Sequence, residues 1–267
     1  MVGFWPECFS APPGDFSAMP GGEGAFFTGR LFIGLAGWSI RKDQAHRFPP
    51  EGTHLERYAA RFPAVEINSS FYRSHQRKTY ERWAASVPKS FRFAVKLPRQ
   101  VTHYSRLKDT AALERFLEEV AGLGEKLGPL LMQLPPGLPF QEDVVGVFLE
   151  ALRERFEGVV VCEPRHASWF TPEAEGVLED FRVARVAADP APHPGADRPG
   201  AWRGCRYFRL HGSPRMYYSA YSEDFLQSLA EQLREAAHSS PVWCIFNNTA
   251  AGAATENAFR LMEILEW

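Results

Sequence analysis

The sequence has few cysteines, almost no net charge and no long apolar run, and each shortage argues against a class of protein. Its four cysteines include no Cys-X-X-Cys pair, so a zinc or redox motif of that type is absent. A formal net charge of -2 argues against non-specific binding to nucleic acid or anionic membranes. We expect no membrane-spanning segment, because no apolar run is long enough, and no signal peptide, because no basic start precedes an apolar core.

Cysteine usage also bears on the location of the protein. Cys162, Cys205 and Cys244 fall in predicted strands, where small apolar side chains are common. We therefore predict buried, free thiols in a reducing compartment, the cytoplasm. We expect neither a disulfide framework nor a zinc site built on cysteine.

Two parts of the chain differ in composition. Residues 1–30 contain Pro12-Pro13-Gly14 and Pro20-Gly21-Gly22, which interrupt regular structure, together with several aromatic residues. We predict a flexible N-terminal arm over residues 1–30, whose aromatic side chains pack on the domain or on a partner. Residues 31–267 alternate apolar strands with amphipathic helices and are predicted to form one domain.

This alternation predicts an α/β fold. Strand candidates begin near residues 31, 63, 91, 129, 158, 182, 206 and 242. Eight strands within about 250 residues are typical of a closed barrel, so we predict a single-domain, TIM-like (β/α)8 barrel. A doubly wound open sheet is the structural alternative, although no Gly-X-Gly-X-X-Gly or phosphate-binding loop motif follows any strand.

Helix signals lie between most of the strands. Thr53 and Glu56 form a capping box, and Thr171-Pro172 places a cap before a first-turn proline. Apolar residues at helical spacing predict helices over residues 110–127 and 141–156, and others after Ser222 and at the C-terminus.

One unit of the repeat departs from this pattern. Residues 190–204 are rich in proline and glycine and show no helical spacing, so the barrel should be irregular after its sixth strand. Because this loop follows the end of a strand, we expect it to form a lid or a wall at the active rim.

The predicted strands share an ending: a short apolar run closes in polar or ionisable residues. In a parallel barrel the carboxyl ends of all strands meet at one rim, where active sites are built. The pattern therefore predicts a concave polar site. The residues at these ends are Glu66 and Asn68, Lys96, Gln133, Glu163 with Arg165 and His166, Asp189, Arg209 with His211, and Asn247 with Asn248.

Side-chain parity indicates which of these residues face inward. Glu66 and Asn68 are two residues apart, so both point the same way, into the barrel mouth or into its interior as a structural plug. Lys96 shares the inward parity of Arg92 and Ala94. It is suited to an ion pair with Glu66 or to binding a substrate phosphate.

The run Glu163-Pro164-Arg165-His166 is the strongest single signal. Glu163 and Arg165 share the parity of Val159 and Val161, and the proline ends the strand sharply. A carboxylate, a guanidinium and an imidazole supply a base, an anion clamp and a proton shuttle. The structural alternative is a salt-bridge network at the rim.

We predict catalytic roles for the acid–base groups at the strand ends, namely Glu66, Glu163, His166 and His211. Asn247 and Asn248 precede Gly252, in the region where such barrels frequently hold phosphate. The predicted substrate-binding residues combine cations, amides, an imidazole and aromatic rings. They are Trp38, Asn68, Tyr72, Lys96, His103, Arg165, Trp169, Arg209, Asn247 and Asn248.

Several motifs, in order along the chain, resemble the YecE-like family, a domain of unknown function (DUF72). That resemblance implies a TIM-barrel-like fold and no established reaction. The first loop departs from the family pattern at Ser39-Ile40-Arg41. The motifs are Ala36-Gly37-Trp38-Ser39, residues 65–73, residues 93–98, Val101-Thr102-His103, residues 133–136, residues 163–166 with Ser168-Trp169, residues 209–212 and Phe246-Asn247-Asn248.

Three functions agree with these residues. The first is an enzyme that performs acid–base chemistry on a polar small molecule, either phosphorylated or sugar-like. The second is a nucleic-acid-binding or endonuclease-like barrel, in which Trp38, Tyr72 and Trp169 stack on bases beside the rim arginines. The third is non-catalytic ligand binding, because a fold does not dictate a function.

No cofactor is predicted from a motif. A divalent metal is a further hypothesis, because carboxylate and imidazole side chains resemble the ligands of barrel metalloenzymes. Lys96 and Arg165 at the same rim argue partly against it. The candidate ligands are Glu66, Glu163, Asp189, His103, His166 and His211.

Overall fold

The computed structural model describes residues 31–267, so the predicted N-terminal arm and Cys8 lie outside the described residues. Its centre is a ten-stranded sheet of mostly parallel strands. The strands are β1 (Leu31–Ala36), β2 (Ala64–Ile67), β3 (Arg92–Lys96), β4 (Leu127–Gln133), β5 (Val160–Glu163), β6 (Val183–Arg185), β7 (Ala187–Asp189), β8 (Gly200–Ala201), β9 (Arg206–Leu210) and β10 (Val242–Phe246).

The predicted sixth strand closes the barrel in two pieces. β6 pairs with β5 through Val183 and Val160, whereas β7 pairs with β9 through Ala187 and Phe208. Only Val186 separates the two pieces, so one short stretch of chain joins the ends of the sheet. The TIM-like barrel is therefore confirmed, with a split sixth strand in a nearly closed sheet.

Amphipathic helices cover the outside of the barrel. They are α1 (His54–Ala59), α2 (Arg77–Ala85), α3 (Thr110–Val120), α4 (Glu142–Arg153), α5 (Pro172–Asp180), α6 (Glu223–Ala237) and α7 (Ala253–Ile264). The predicted caps are confirmed: the Thr53 and Thr171 side chains accept from backbone N–H groups of the first turns of α1 and α5. The sequence did not reveal α2, because Tyr80 is the one buried residue in that largely polar helix.

The unit after β7 has no helix, as predicted. Residues 190–196 stay at the rim, where His193 Nε2 lies 3.2 Å from the Arg165 carbonyl oxygen. The chain then turns back, and β8 runs antiparallel to β6. Arg185 holds this return by donating to the carbonyl oxygens of Gly195 and Arg198 at 3.0 and 3.1 Å. The segment thus lies at the rim at one end and pairs beside β6 at the other.

Aromatic rings pack in the barrel interior near the amino-terminal ends of the strands. Phe32, Trp243 and Tyr207 are neighbours in register on β1, β10 and β9. The Trp243 ring stacks on Phe32 with centroids 4.7 Å apart and on Tyr207 at 6.1 Å. A Cβ atom on Gly128 would lie 2.6 Å from the Trp243 ring, so the indole fits only beside glycine. These rings leave the opposite, carboxyl-terminal end of the barrel to polar side chains.

The cysteines of the described region agree with the prediction of buried thiols. Cys162, Cys205 and Cys244 are free and buried. Burial raises the pKa of each of these thiols, so they stay protonated. Among residues 31–267 no helix is long and apolar enough to cross a membrane.

Candidate active site

One buried arginine joins two glutamates across the barrel mouth. Arg209 on β9 donates from Nη2 to Glu66 Oε1 at 2.8 Å, and from Nη1 to Glu163 Oε2 at 2.9 Å. Tyr207, two residues earlier on the same face of β9, donates its hydroxyl to Glu66 Oε2 at 2.9 Å. Parity brings these groups together, because all four side chains point into the barrel. We call Glu66, Glu163, Arg209 and Tyr207 the central network.

Glu163 receives further donors on its other oxygen. Arg165 Nε lies 2.8 Å and His211 Nε2 lies 3.1 Å from Oε1. Burial by itself would raise the pKa of the Glu163 carboxyl, but Arg209, His211 and Arg165 together hold that pKa well below its ordinary value. Glu163 therefore stays ionised near neutral pH and is a weak proton acceptor.

His211 is held on both sides of its ring. The Asn247 amide nitrogen lies 3.0 Å from Nδ1, and on the other side of the ring Nε2 lies 3.1 Å from both Glu163 Oε1 and Arg165 Nη2. Burial lowers the pKa of His211, and the nearby Glu163 carboxylate opposes that shift only in part. A neutral, fully enclosed imidazole with both nitrogens engaged is suited to positioning Glu163 and Asn247.

Lys96 differs from every other charged group at the mouth. The residue is 6% exposed. Within residues 31–267, Nζ makes neither a hydrogen bond nor an ion pair, and it lies 3.8 Å above the centroid of the Phe71 ring. Burial lowers the pKa of Lys96 to about 7, with help from the Arg209 charge and against the attraction of Glu66 and Glu163. The amine is therefore partly uncharged at neutral pH.

The structure corrects one predicted interaction. An ion pair between Lys96 and Glu66 is not formed, because Arg209 and Tyr207 bind both oxygens of Glu66. Arginine is the better partner for this carboxylate, since its planar fork reaches Glu66 and Glu163 at once. Lys96 is left beside an aromatic ring.

Two side chains at the mouth retain polar capacity. Arg165, whose side chain is 16% exposed, binds Glu163 through Nε and Nη2, and Nη2 also lies 3.1 Å from His211 Nε2, which leaves Nη1 without a partner among residues 31–267. Asn68 follows β2 on the parity of Glu66, and its buried Oδ1 has no hydrogen-bond partner among the described residues. Both residues lie at strand ends on the inward parity, as predicted.

Two predicted residues lie beside Lys96. The His103 ring meets the Phe71 ring edge-on, with centroids 4.9 Å apart, and its Nδ1 lies 2.9 Å from Thr102 Oγ1. Burial lowers the pKa of His103, and the charges of Lys96 and Arg165 lower it further. Tyr72, next to Phe71, is 64% exposed and marks the outer edge of the mouth.

Other predicted residues have evident structural roles. The Trp169 ring is fully buried and donates from Nε1 to the Leu138 carbonyl at 2.9 Å, which does not agree with its predicted roles in binding substrate or stacking on bases. His166 Nδ1 contacts Ser168 Oγ at 2.8 Å and caps the short turn that follows. Asn248 donates to the Ser219 carbonyl at 2.9 Å, on the side of the strand away from His211.

Trp38 packs edge-on against Trp83 of α2, with ring centroids 5.0 Å apart, so it supports the first loop. Beside it, a cavity of about 250 Å³ lies between the end of β1 and the start of α7. Its lining includes Ser39, Gly252 and Thr255. This is the region near Asn247 and Asn248 for which a phosphate was predicted, although the cavity lining does not include either asparagine.

Sequence reasoning missed two contributors to the mouth. The alternation of β9 places Tyr207 on one parity with Arg209 and His211, but it does not indicate that Tyr207 binds Glu66. Phe71 lies in a short turn, Ser69–Phe71, directly after β2. No local pattern indicates that its ring turns back toward Lys96 on the neighbouring strand.

The metal hypothesis gains no ligand set from the geometry. In the described part of the chain, no three His, Cys, Asp or Glu side chains are grouped in a way that would hold a metal ion. Glu66 and Glu163, the central candidates, are turned toward Arg209. The hypothesis of a divalent metal therefore has no support in the arrangement of these residues.

Comparison with known proteins places the chain among uncharacterised relatives. The family model described as "Protein of unknown function DUF72" matches residues 32–267. The UPF0759 protein YunF of Bacillus subtilis is 23% identical over 274 residues, covering 88% of this chain and 95% of that protein.

Solved structures confirm the fold. A DUF72 family protein of Thermotoga maritima has a TM-score of 0.73 and 27% identity, with 89% of this chain and 100% of that chain covered. The 3-keto-D-glucoside 4-epimerase YcjR of Escherichia coli has a TM-score of 0.52 at 15% identity, with 89% and 100% covered. At that identity, the second likeness shows a shared barrel fold alone.

Proposed function

The chain belongs to the DUF72 family, whose function is unknown, and we propose that it is an enzyme performing proton-transfer chemistry on an anionic, sugar-like small molecule in the barrel mouth. One observation carries this proposal: Glu66, Glu163, Arg209 and Arg165 are mutually paired, whereas the amine of Lys96 has no hydrogen bond or ion pair within residues 31–267. A buried amine with a pKa near neutrality, surrounded by the charged side chains of the strand ends, is typical of an active site.

The proposed role of each side chain follows from the atoms that have no hydrogen-bond partner within residues 31–267. Lys96 accepts or returns a proton, because its amine is partly uncharged at neutral pH. Arg165 Nη1, which has no partner among residues 31–267, binds a carboxylate or phosphate of the substrate. The amide oxygen of Asn68, which has no partner among the described residues, accepts a hydrogen bond from a hydroxyl group of the substrate.

The remaining groups act as positioning residues in this proposal. Glu66 and Glu163 had been predicted to be catalytic, but their oxygens are saturated by buried donors. In the proposed mechanism they fix Arg209 and Arg165 and balance their charges. His211 and Asn247 keep Glu163 in place.

The class of substrate rests on the chemistry of the mouth. A cation, an amide and an amine suit a molecule that carries an anionic group and hydroxyl groups. The fold neighbour YcjR acts on a 3-keto-D-glucoside, according to its name. Sugars and their phosphates are therefore the first compounds to test.

The proposal is tested by screening the full chain against sugar phosphates, sugar acids and keto-sugars, with products followed by NMR. For any compound that is turned over, Lys96→Met should lower kcat by about 10²-fold or more. Arg165→Met should mainly raise KM, because it removes binding of the anionic group. The exposed Lys78→Met variant is the control and should match the wild type. Unchanged kcat in Lys96→Met would overturn the assignment.

A second candidate has one specific observation in its favour. On the outer edge of the mouth the Arg99 guanidinium lies 6.0 Å from the Tyr72 ring and 5.3 Å from the Tyr104 ring, and both tyrosines are exposed. Exposed rings beside a cation suit stacking on single-stranded nucleic acid. Binding of a single-stranded oligonucleotide that weakens steeply with salt, and that is lost in Tyr72→Ala, would favour this function.

A further inference from the structure

We propose that Lys96 forms a covalent imine with an aldehyde or ketone that carries an anionic group. The inference rests on the function proposed above, since it concerns the same site, and it names the reactive group of the substrate. An amine that is free to accept a proton has a free electron pair, and that pair is also a nucleophile toward a carbonyl carbon.

The backbone around Lys96 is fixed. Lys96 is the last residue of β3, and its carbonyl oxygen accepts from the Ser70 hydroxyl at 2.6 Å. The same hydroxyl also contacts the Ile67 carbonyl oxygen at the end of β2, at 3.0 Å. The amine therefore projects from a rigid strand end into the mouth, which is the precision that covalent catalysis needs.

The contacts of Nζ separate this amine from a structural lysine. Lys126, for comparison, donates to the carbonyl oxygens of Ala84 and Val87, each at 2.6 Å, so its electron pair is not available to a substrate. Lys96 meets the face of the Phe71 ring instead. An aromatic face stabilises an ammonium or iminium cation without taking a proton from it.

Charged and titratable groups from several elements act on this amine. Glu66 and Glu163 favour its protonated form, whereas the positive charges of Arg209 and Arg165 disfavour it. His103 is a titratable neighbour, and the charge of Lys96 lowers the pKa of His103. Burial is the largest effect, and it lowers the pKa of Lys96 to about 7. A large share of the amine is therefore nucleophilic at neutral pH, as imine-forming lysines require.

The covalent step is balanced without a further reagent. The uncharged Nζ attacks the carbonyl carbon, and a carbon–nitrogen bond forms as the carbon–oxygen double bond opens. The two hydrogens of the amine then leave with the carbonyl oxygen as one molecule of water, and a carbon–nitrogen double bond remains. Protonation of the imine nitrogen by solvent gives an iminium ion, which draws electrons from the neighbouring carbon.

Arg165 defines the rest of the substrate. Its Nη1 group, which has no partner among residues 31–267, is suited to a carboxylate or phosphate, so the expected carbonyl compounds are 2-oxo acids and the open-chain forms of sugar phosphates. The paired glutamates disfavour a cationic substrate, because no carboxylate oxygen of the central network is left to receive it.

The test is reductive trapping on the intact, full-length chain. Glyoxylate, pyruvate and erythrose 4-phosphate are each incubated with the protein and sodium cyanoborohydride between pH 6 and pH 8. A reduced adduct on Lys96 blocks tryptic cleavage there, so residues 93–99 are recovered as one peptide that carries the added mass. We expect labelling of Lys96 at least about tenfold faster than that of the exposed Lys78, Lys89 and Lys108, with a midpoint near pH 7.

Two variants sharpen the result. Lys96→Arg keeps the positive charge, and the mass of the intact variant should show only the slow labelling of the exposed lysines. Arg165→Met should slow labelling by the anionic probes while leaving labelling by the neutral glycolaldehyde unchanged. Absence of an adduct with every probe, or labelling no faster than at the exposed lysines, overturns the imine. If Lys96→Met still loses turnover in that case, the imine fails while the proposed proton transfer stands.

Discussion

The two sides of the barrel mouth treat a buried cation in opposite ways. On the β9 side, Glu66 and Glu163 raise the pKa of Arg209 above its ordinary value, although burial alone would lower it. On the β3 side, burial is the dominant effect and lowers the pKa of Lys96 to about 7. The first cation is fixed by its partners, and the second, without partners among the described residues, is partly uncharged at neutral pH.

The comparison teaches how one cluster can be both stable and reactive. A buried charge is tolerated when it is paired and hydrogen-bonded, and otherwise it gives up its charge. The charges of the central network are paired, whereas burial lowers the pKa of Lys96 so that its amine is partly uncharged at neutral pH. Substitutions that remove an interaction on one side of the mouth and leave the other side intact test this difference.

The largest expected effect is that of Arg209→Met. This change leaves Glu66 and Glu163 buried without their common cation, so we expect the free energy of unfolding to fall by about 3–5 kcal/mol. Urea unfolding measures it, and recovery of only aggregated protein would count in the same direction. Arg260→Met, which breaks an exposed pair with Glu223, is the control and should unfold near the wild-type urea concentration. Wild-type stability in Arg209→Met would contradict the central network.

Lys96→Met should act in the opposite direction and stabilise the protein. Because the folded-state pKa lies below the ordinary value, the unfolded chain binds a proton that the folded chain does not between about pH 7 and pH 10. The wild type therefore gains stability as pH rises through this window. The advantage of Lys96→Met should be on the order of 2–4 kcal/mol at or below pH 7 and should shrink toward pH 10. A variant less stable than the wild type at pH 7 would contradict this account.

A smaller contrast is expected between the two amides of the mouth. Asn247→Leu removes the donor to His211 Nδ1 and leaves that nitrogen buried without a partner, at a cost of about 1–2 kcal/mol. Asn68→Leu removes an oxygen that has no partner, so its free energy of unfolding should change by less than about 0.5 kcal/mol. Equal losses in thermal unfolding would show that the two sides of the mouth do not differ in this respect.

The smallest effect is that of Phe71→Leu. Loss of the ring face removes about 0.5–1 kcal/mol of stabilisation from the charged form of Lys96. The pKa of Lys96 should fall further, by about half a unit, and the midpoint of reductive labelling should move to lower pH with it. Tyr104→Leu, at an exposed ring away from the amine, is the control. An upward shift of the midpoint would contradict the contact between Nζ and Phe71.

Much of this arrangement could be predicted from alternation along single strands. The spacing of strands and helices predicted the barrel, and parity placed Glu66, Lys96, Glu163, Arg209 and His211 on its inner face. These inferences succeed because a strand turns successive side chains to opposite faces, whatever its neighbours are. The loop at residues 190–204 was also evident, since a stretch rich in proline and glycine does not form a helix.

Partner choice across the barrel could not be predicted in the same way. Whether Glu66 binds Arg209 or Lys96 depends on the register and tilt of strands far apart in sequence, and parity says nothing about either. The same holds for Trp169, whose motif suggests a ligand contact although its ring is enclosed beneath Leu138. The split of the sixth strand at Val186 likewise follows from barrel closure and not from local pattern.

The stacked rings of Phe32, Trp243 and Tyr207 bear on how a small molecule would enter and leave the barrel. Together with other buried side chains they pack across the amino-terminal part of the interior. Under the proposed function, substrate and product would therefore both pass the carboxyl-terminal rim. We expect product to compete with substrate for the same entrance, so that release of product limits the rate of turnover.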